Sequence, residues 1–207
     1  SVCLASPLRD VYKRQQQVID AYKDGIRKAA ANGHDVSRIH SVASFFVSRM
    51  DTEVDKRLGA IGTDEALALR GKAGIANARL AYALFEREFG DVDVAKLPAN
   101  ANAQRPLWAS TGVKNPDYPA TMYVTELAGP QTVNTMPEKT LDAVLRDGGV
   151  HGDTLTGTEA VSRETFAALR GVGIDLDDVV AVLEREGVEK FVDAWQELLD
   201  SMTARLA

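Results

Sequence analysis

The stretch Ile39-His40-Ser41-Val42-Ala43-Ser44-Phe45-Phe46-Val47 decides the fold class. It is a short run of β-branched and aromatic residues that follows the turn-like Asp35-Val36-Ser37 and precedes a charged helical stretch opening at Asp51-Thr52-Glu53. Continuous apolarity, without strict alternation, suits a strand buried on both faces, as in a parallel sheet. Two more runs have this character: Pro106-Leu107-Trp108-Ala109-Ser110, ended by Thr111-Gly112, and Gln131-Thr132-Val133-Asn134-Thr135-Met136, ended by Pro137. Helix-compatible sequence follows each of them, and no Asn-Gly hairpin turn joins two alternating strands. The alternation of strand, loop and helix therefore predicts parallel βα units.

Working outward, Val18, Ile19, Tyr22, Ile26 and Ala29 recur at helical spacing over residues 16–31, and Asn32-Gly33 supplies the stop. From Thr63 to Phe89 the positions Ile75, Ala78, Arg79, Tyr82, Phe85 and Phe89 predict one long helix, capped by Thr63 or Asp64 and ended by Gly90. Gly71-Lys72-Ala73-Gly74 superficially suggests a phosphate loop. It lacks a preceding strand and the Lys-Ser/Thr ending, so it reads as the interior of that helix with two closely packed glycines. From Gly157 to Leu206 the pattern is helical only, with breaks at Gly171-Val172-Gly173 and at Gly187 and a start favoured by Asp175 and Asp178. The last helix gathers Phe191, Trp195, Leu198, Leu199, Met202 and Leu206 on one face, expected to pack on the chain's own core.

Composition bounds the partners. The 207 residues are 45% hydrophobic and 26% charged, enough for a sizeable core. No apolar run approaches the roughly 20 residues of a membrane-spanning helix, and no polybasic run offers a surface anchor, so no membrane association is expected. A formal charge of −6 and a pI near 5.1 argue against general binding of nucleic acid, while leaving room for a local basic pocket that holds a small anion. Cys3 is the only cysteine, which excludes an internal disulfide and fits a reducing cytoplasm. His34, His40 and His151 lack metal-ligand spacing, and nucleotide fingerprints are absent, so no metal or cofactor is expected. Residues 1–15, ending in Asp10-Val11-Tyr12-Lys13-Arg14-Gln15, merge abruptly into the first helical pattern and resemble a translated sequencing-adaptor tail. The biological chain is accordingly expected over residues 16–207.

In a parallel α/β barrel, ligands meet the carboxyl ends of the strands. Ser44, Phe46, Ser48 and Arg49 end the first run; Ser110, Thr111 and Lys114 follow the second; Asn134 and Thr135 sit on the third. A cation on each of two neighbouring loops, beside hydroxyls, is either a clamp for a phosphate monoester or ordinary surface charge near strand ends.

These residues also carry a resemblance. Residues 39–55, continuing the first run through Ser48-Arg49-Met50-Asp51-Thr52-Glu53-Val54-Asp55, resemble the sixth barrel strand of transaldolases. Arg105-Pro106-Leu107-Trp108-Ala109-Ser110-Thr111-Gly112-Val113-Lys114-Asn115-Pro116 is similar to the seventh strand and its loop in the actinobacterial-type branch, and Thr132-Val133-Asn134-Thr135-Met136-Pro137 to the eighth. The resemblance implies a partial (β/α)8 TIM barrel, about strands six to eight with carboxy-terminal helices, and sugar phosphates as partners. It implies an enzyme that moves a dihydroxyacetone unit from a ketose phosphate to an aldose phosphate through a lysine Schiff base, without metal or organic cofactor. Ser44 and Phe46 match residues that line the substrate pocket, and Arg49 and Ser110 match phosphate-binding residues. The common pattern places an arginine two positions after that serine, where this chain has Gly112; Lys114 is the candidate substitute. The Schiff-base lysine belongs to strands that have no counterpart here, so the chain alone is expected to lack activity. A non-catalytic phosphosugar-binding fragment, or part of a fusion with a phosphosugar isomerase, is the competing expectation.

Overall fold

The computed structural model describes residues 12–91, 95–147 and 149–206. The three apolar runs are strands: β1 (Ser41–Phe46), β2 (Gln104–Ala109) and β3 (Val133–Asn134). They form one sheet in the order β1-β2-β3, parallel throughout, with Ser44 opposite Leu107, Phe45 opposite Trp108 and Trp108 opposite Asn134. The parallel α/β expectation thus holds for the sheet.

Helices cover one side of it. In chain order they are α1 (Tyr12–Ala31), α2 (Ser48–Ile61), α3 (Asp64–Leu67), α4 (Ala73–Phe89), α5 (Met122–Thr125), α6 (Glu138–Asp147), α7 (Glu159–Gly171) and α8 (Leu176–Leu206). Because side chains alternate along a strand, Phe45 and Trp108 share the face that meets α4. Their rings pack edge to face at 5.9 Å, and both are buried with Ala78, Tyr82, Phe85, Tyr123 and Leu127. The indole Nε1 of Trp108 donates to the Leu127 carbonyl at 3.0 Å, so the one polar atom of this ring is satisfied inside the core. A second core lies among helices: Met50, Val54 and Leu58 of α2, Ala76 and Leu80 of α4, Phe166 and Leu169 of α7, and Val179 and Leu183 of α8.

Helix α1 lays Ile19 and Ile26 inward at helical spacing and buries Lys23 between them. Lys23 pairs with Glu88 of α4 at 2.7 Å and sits 5.1 Å from the centre of the Phe89 ring, which satisfies a charge that would otherwise be costly to bury. The helix begins at Tyr12, four residues ahead of the expected start at Gln16, and Gln15 is buried. Residues 1–11 of the adaptor-like tail lie outside the described residues.

Three sequence expectations change. The long helix from Thr63 is two helices: Thr63 caps α3, accepting from Ala66 N at 3.3 Å, and the chain then turns at Gly71, whose φ is +73°, before α4 starts at Ala73. Gly187 does not break the chain; α8 runs through it from Leu176 to Leu206, opened by Asp175 Oδ1, which accepts from the backbone N–H of Asp177 and Asp178 at 3.0 Å each. The apolar stripe of α8 does not pack on the chain's own core: Phe191, Trp195, Leu198, Leu199 and Met202 are all exposed, Trp195 by 61%. Every residue from Val188 to Arg205 is exposed, so the helix leaves the core after Gly187.

Candidate active site

The carboxyl end of β1 runs straight into α2. Val47 N donates to the Ala109 carbonyl at 3.0 Å and Ser48 N to the Ser110 carbonyl at 3.2 Å, so the ladder between β1 and β2 continues one step past both strands. The hydroxyls of Ser48 and Ser110 meet at 2.8 Å. Ser110 holds this place with a φ of +54°, a left-handed conformation rare for residues other than glycine and concentrated at functional turns. On the other side of β2, Thr111 Oγ1 donates to the Thr135 carbonyl at 2.7 Å, and Thr135 N donates to the Trp108 carbonyl at 2.9 Å. The three strand ends are thereby locked in register.

Above Ser48 and Ser110 opens a cavity of about 630 Å³ lined by Arg49, Thr52, Lys56, Lys114 and, from α8, Gly187 and Lys190, among others. Four cationic side chains border it, Arg49, Lys56, Lys114 and Lys190, against two carboxylates, Glu53 and Glu186. Both carboxylates are engaged: Glu53 accepts from Arg57 Nε at 2.8 Å, and Glu186 accepts from Lys190 Nζ at 3.1 Å. The cavity also lies at the amino-terminal turn of α2, where the helix dipole and backbone N–H groups favour an anion. The surplus of positive charge, two hydroxyls and a helix start make this an anion-binding geometry.

Arg49, Ser110 and Lys114, from the ends of two neighbouring strands, meet in this one cavity. The guanidinium of Arg49 lies over the Phe46 ring, with Cζ 4.4 Å from the ring centre, a cation–π contact that fixes where the fork points. Ser44 and Phe46 alternate with Phe45, so they face away from α4, on the opposite side of the sheet; Ser44 is 7% exposed and Phe46 half-buried. They do not border the cavity that holds Arg49. Asn134 departs further from its expectation as a ligand at a strand end, because its side chain turns to the helical layer and donates Nδ2 to the Tyr123 carbonyl at 3.1 Å. Among the described residues no group of three His, Cys, Asp or Glu gathers as metal ligands.

Position 112, where this chain has glycine, is tightly packed. A β carbon built on Gly112 would lie 3.2 Å from Pro137 Cγ and 3.9 Å from Thr140 Oγ1. A side chain there would start towards the junction of β3 and α6. Lys114, two residues later, borders the cavity.

Sequence reasoning missed one feature altogether. Asp51 and Asp55 lie one turn apart on α2, and each bridges the same two segments. Asp51 accepts from Gly74 N at 2.7 Å through Oδ1 and from the Tyr123 hydroxyl at 2.6 Å through Oδ2. Asp55 accepts from Gly71 N at 2.9 Å through Oδ1 and from the Tyr118 hydroxyl at 2.6 Å through Oδ2. The glycines have steric reasons: a β carbon at 71 would fall 2.9 Å from Tyr118 Cζ, and one at 74 would fall 2.8 Å from both Asp51 Oδ2 and the Val47 carbonyl oxygen. Gly71-Lys72-Ala73-Gly74 is therefore a turn and helix start that holds carboxylates of its own chain. Burial pushes the Asp51 carboxyl up to about 6, with a further push from the Asp55 charge; hydrogen bonds from Tyr123, Gly74 and Ala73 oppose the rise. Burial and the hydrogen bond to Asp55 push the Tyr118 phenol up to about 12, and burial, followed by the Asp51 charge, raises that of Tyr123 as well. The spacing of Asp51 and Asp55 at i and i+4 was visible in the sequence, but nothing local distinguishes it from a solvated helix face.

Comparison with known proteins gives one answer. Residues 12–202 match the family described as transaldolase/fructose-6-phosphate aldolase. The chain is 64% identical over 195 residues to the transaldolase of Mycolicibacterium smegmatis, an alignment covering 94% of this chain and 53% of that protein. It is 60% identical over 196 residues to the transaldolase of Mycolicibacterium paratuberculosis, covering 94% and 52%. The transaldolase of Mycobacterium ulcerans is 62% identical over 195 residues, covering 93% and 52%. The chain thus spans about half the length of the curated relatives it matches. With a match that runs through all three strands and the helices between them, the chain belongs to the transaldolase/fructose-6-phosphate aldolase family.

Proposed function

We propose that this chain supplies the phosphate-binding side of a transaldolase, corresponding to strands six to eight of its (β/α)8 barrel and the helices that follow. The reaction is transfer of a dihydroxyacetone unit from a ketose phosphate, such as sedoheptulose 7-phosphate or fructose 6-phosphate, to an aldose phosphate. The observation that carries this reading is the single cavity joining Arg49, Ser110 and Lys114 at the amino-terminal turn of α2. Arg49 offers a fork for two phosphate oxygens, Ser110 a hydroxyl and Lys114 a point charge. Ser44 and Phe46, on the sheet face away from α4, line the dihydroxyacetone end of the substrate. On this reading the Schiff-base lysine is supplied by a part of the enzyme outside this segment. Attack on the carbonyl needs an unprotonated amine and a positioned acid–base group, and a lysine whose ammonium pairs with a phosphate is held protonated and is not placed for that task.

The test uses a fusion of this chain behind the amino-terminal half of the Mycolicibacterium smegmatis transaldolase. Arg49→Ala removes a charged hydrogen bond of about 1.5–3 kcal/mol, so the KM for fructose 6-phosphate rises about tenfold to a hundredfold while that for unphosphorylated dihydroxyacetone donors stays near its starting value. Equal effects on both donor types refute the phosphate role.

A further inference from the structure

The paired contacts of Asp51 and Asp55 lie outside the anion cavity and yet share its wall. Thr52, Lys56 and Lys114 border the anion cavity and also a second cavity, of about 320 Å³, whose other lining includes Asp51, Asp55, Arg70, Asn115, Tyr118 and Tyr123. Lys114 therefore stands at the boundary between the two. It lies on the loop that runs from Ser110 to Thr121, a connection with no secondary structure of its own before α5. Such a loop, carrying an exposed lysine with a long flexible stem, would leave the ammonium ranging over a wide volume. Immediately after Lys114 the loop is pinned: Asn115 closes a turn, with its carbonyl accepting from Tyr118 N at 3.2 Å and its Oδ1 from Asp117 N at 3.0 Å, and the Tyr118 hydroxyl is anchored on Asp55. Tyr123, in α5 just past the far end of the loop, is anchored on Asp51.

Both anchors are on α2, the helix whose first turn carries Ser48 and Arg49. A rigid path therefore connects the two cations: Arg49, along α2 to Asp55, across to Tyr118, and back four residues to Lys114. Each carboxylate is fixed from behind by a backbone N–H of the 71–74 segment, so neither is free to follow the tyrosine it holds.

We propose that Asp55 and Tyr118, backed by Asp51 and Tyr123, are positioning residues that hold Lys114 across the cavity from Arg49 and so set its affinity for a phosphate group. The proposal rests on the phosphate role of that cavity given above. Lys114 supplies the charge, and the Asp55–Tyr118 contact fixes the place where that charge is held. The neutral tyrosine hydroxyl is what lets a carboxylate so close to the cavity act this way. It takes up one lone pair of Asp55 without bringing another cation, and the Gly71 amide takes up another.

The experiment titrates the 207-residue chain with inorganic phosphate by calorimetry, alongside urea unfolding of each variant. Arg49→Ala and Lys114→Ala each weaken phosphate binding about tenfold or more. Tyr118→Phe, which deletes only the hydroxyl, weakens it about threefold to tenfold in the otherwise unchanged chain, and has no further effect when Lys114→Ala is already present. That loss of effect separates positioning from general destabilisation, which would persist in the double variant. Asp55→Asn, whose amide still accepts from Gly71 and donates to the Tyr118 oxygen, keeps affinity within about twofold, whereas Asp55→Ala does not. If the wild-type chain binds no phosphate, or Arg49→Ala binds it as well as wild type, the phosphate reading fails and this proposal with it. If Arg49→Ala weakens binding but Tyr118→Phe leaves it unchanged, or adds its full effect to that of Lys114→Ala, the cavity stands and the positioning role is overturned.

Discussion

Replacing Asp51 with asparagine should change how stability depends on pH, and the structure gives both the sign and the size. Asp51 is 2% exposed, and its carboxyl titrates at about 6 against an ordinary value of 3.8. The folded chain therefore holds this proton more tightly than the unfolded chain does. Between about pH 4 and pH 6 the folded state binds more protons, so raising the pH through that window weakens the fold, and the loss levels off above it. A rise of about two pKa units corresponds to about 3 kcal/mol. Asparagine does not titrate, and its amide offers Oδ1 to the Gly74 N–H and Nδ2 to the Tyr123 oxygen, as a protonated Asp51 carboxyl offers one acceptor and one O–H donor. Asp51→Asn should therefore match the wild type near pH 4 and exceed it by up to about 3 kcal/mol at pH 7. Urea unfolding of both proteins at pH 4, 5, 6 and 7 measures the difference directly. A difference that stays flat across the series, or a wild type that gains on the variant as pH rises, refutes the reasoning.

Gly74→Ala places a β carbon 2.8 Å from Asp51 Oδ2 and 2.8 Å from the Val47 carbonyl oxygen, and the second of these is backbone at the start of α2. The strain should cost about 1–3 kcal/mol in urea unfolding, and an unchanged midpoint would show that α2 and α4 are less tightly apposed than described. Trp108→Phe orphans the buried Leu127 carbonyl and leaves a void beside Phe45, a combined loss of about 2–4 kcal/mol. The same variant retains only Trp195, which is 61% exposed, so its fluorescence should shift to the red; emission that stays blue would mean Trp195 is covered.

The strands were legible because each signal is local. An apolar run bounded by turn residues marked all three, and the parallel pairing followed from the absence of hairpin chemistry between them. The break before α4 was not legible, since Ala66 and Leu69 on one side and Ala73 and Ala76 on the other all join the helical core and imitate one continuous helix. What opens the turn at Gly71 is its capture by Asp55, with Tyr118 stacked where a β carbon would stand. Both partners are distant in sequence. Gly187 misled in the opposite direction: a glycine inside a helix costs only about 1 kcal/mol, and this one is buried at the cavity wall within the unbroken α8. Lys56 and Lys190 are exposed helical lysines that nothing local marks as cavity residues. Their place beside Arg49 depends on α8 crossing back to α2, a contact fixed in part by Arg57 of α2 reaching Asp178 at 2.7 Å.

On the proposed phosphate reading, the same long-range contacts bear on the lysine that the family resemblance puts in place of an arginine. An arginine two positions after Ser110 would carry its own geometry, since its planar fork meets two oxygens of one phosphate in a fixed orientation. In this backbone, position 112 starts a side chain towards Pro137, and glycine stands there. A lysine two residues further on brings the charge without the fork, on a stem with four rotatable carbons. Such a charge is useful to a ligand only to the extent that the chain around it is held still, because each ordered rotamer is a cost deferred to the moment of binding. The loop that follows Lys114 is held by two tyrosine–carboxylate contacts at 2.6 Å, both on the helix that presents Arg49. Two aspartates, two tyrosines and two glycines thus form one unit, and on the phosphate reading proposed above that unit is what holds Lys114 in place as a cation beside Arg49.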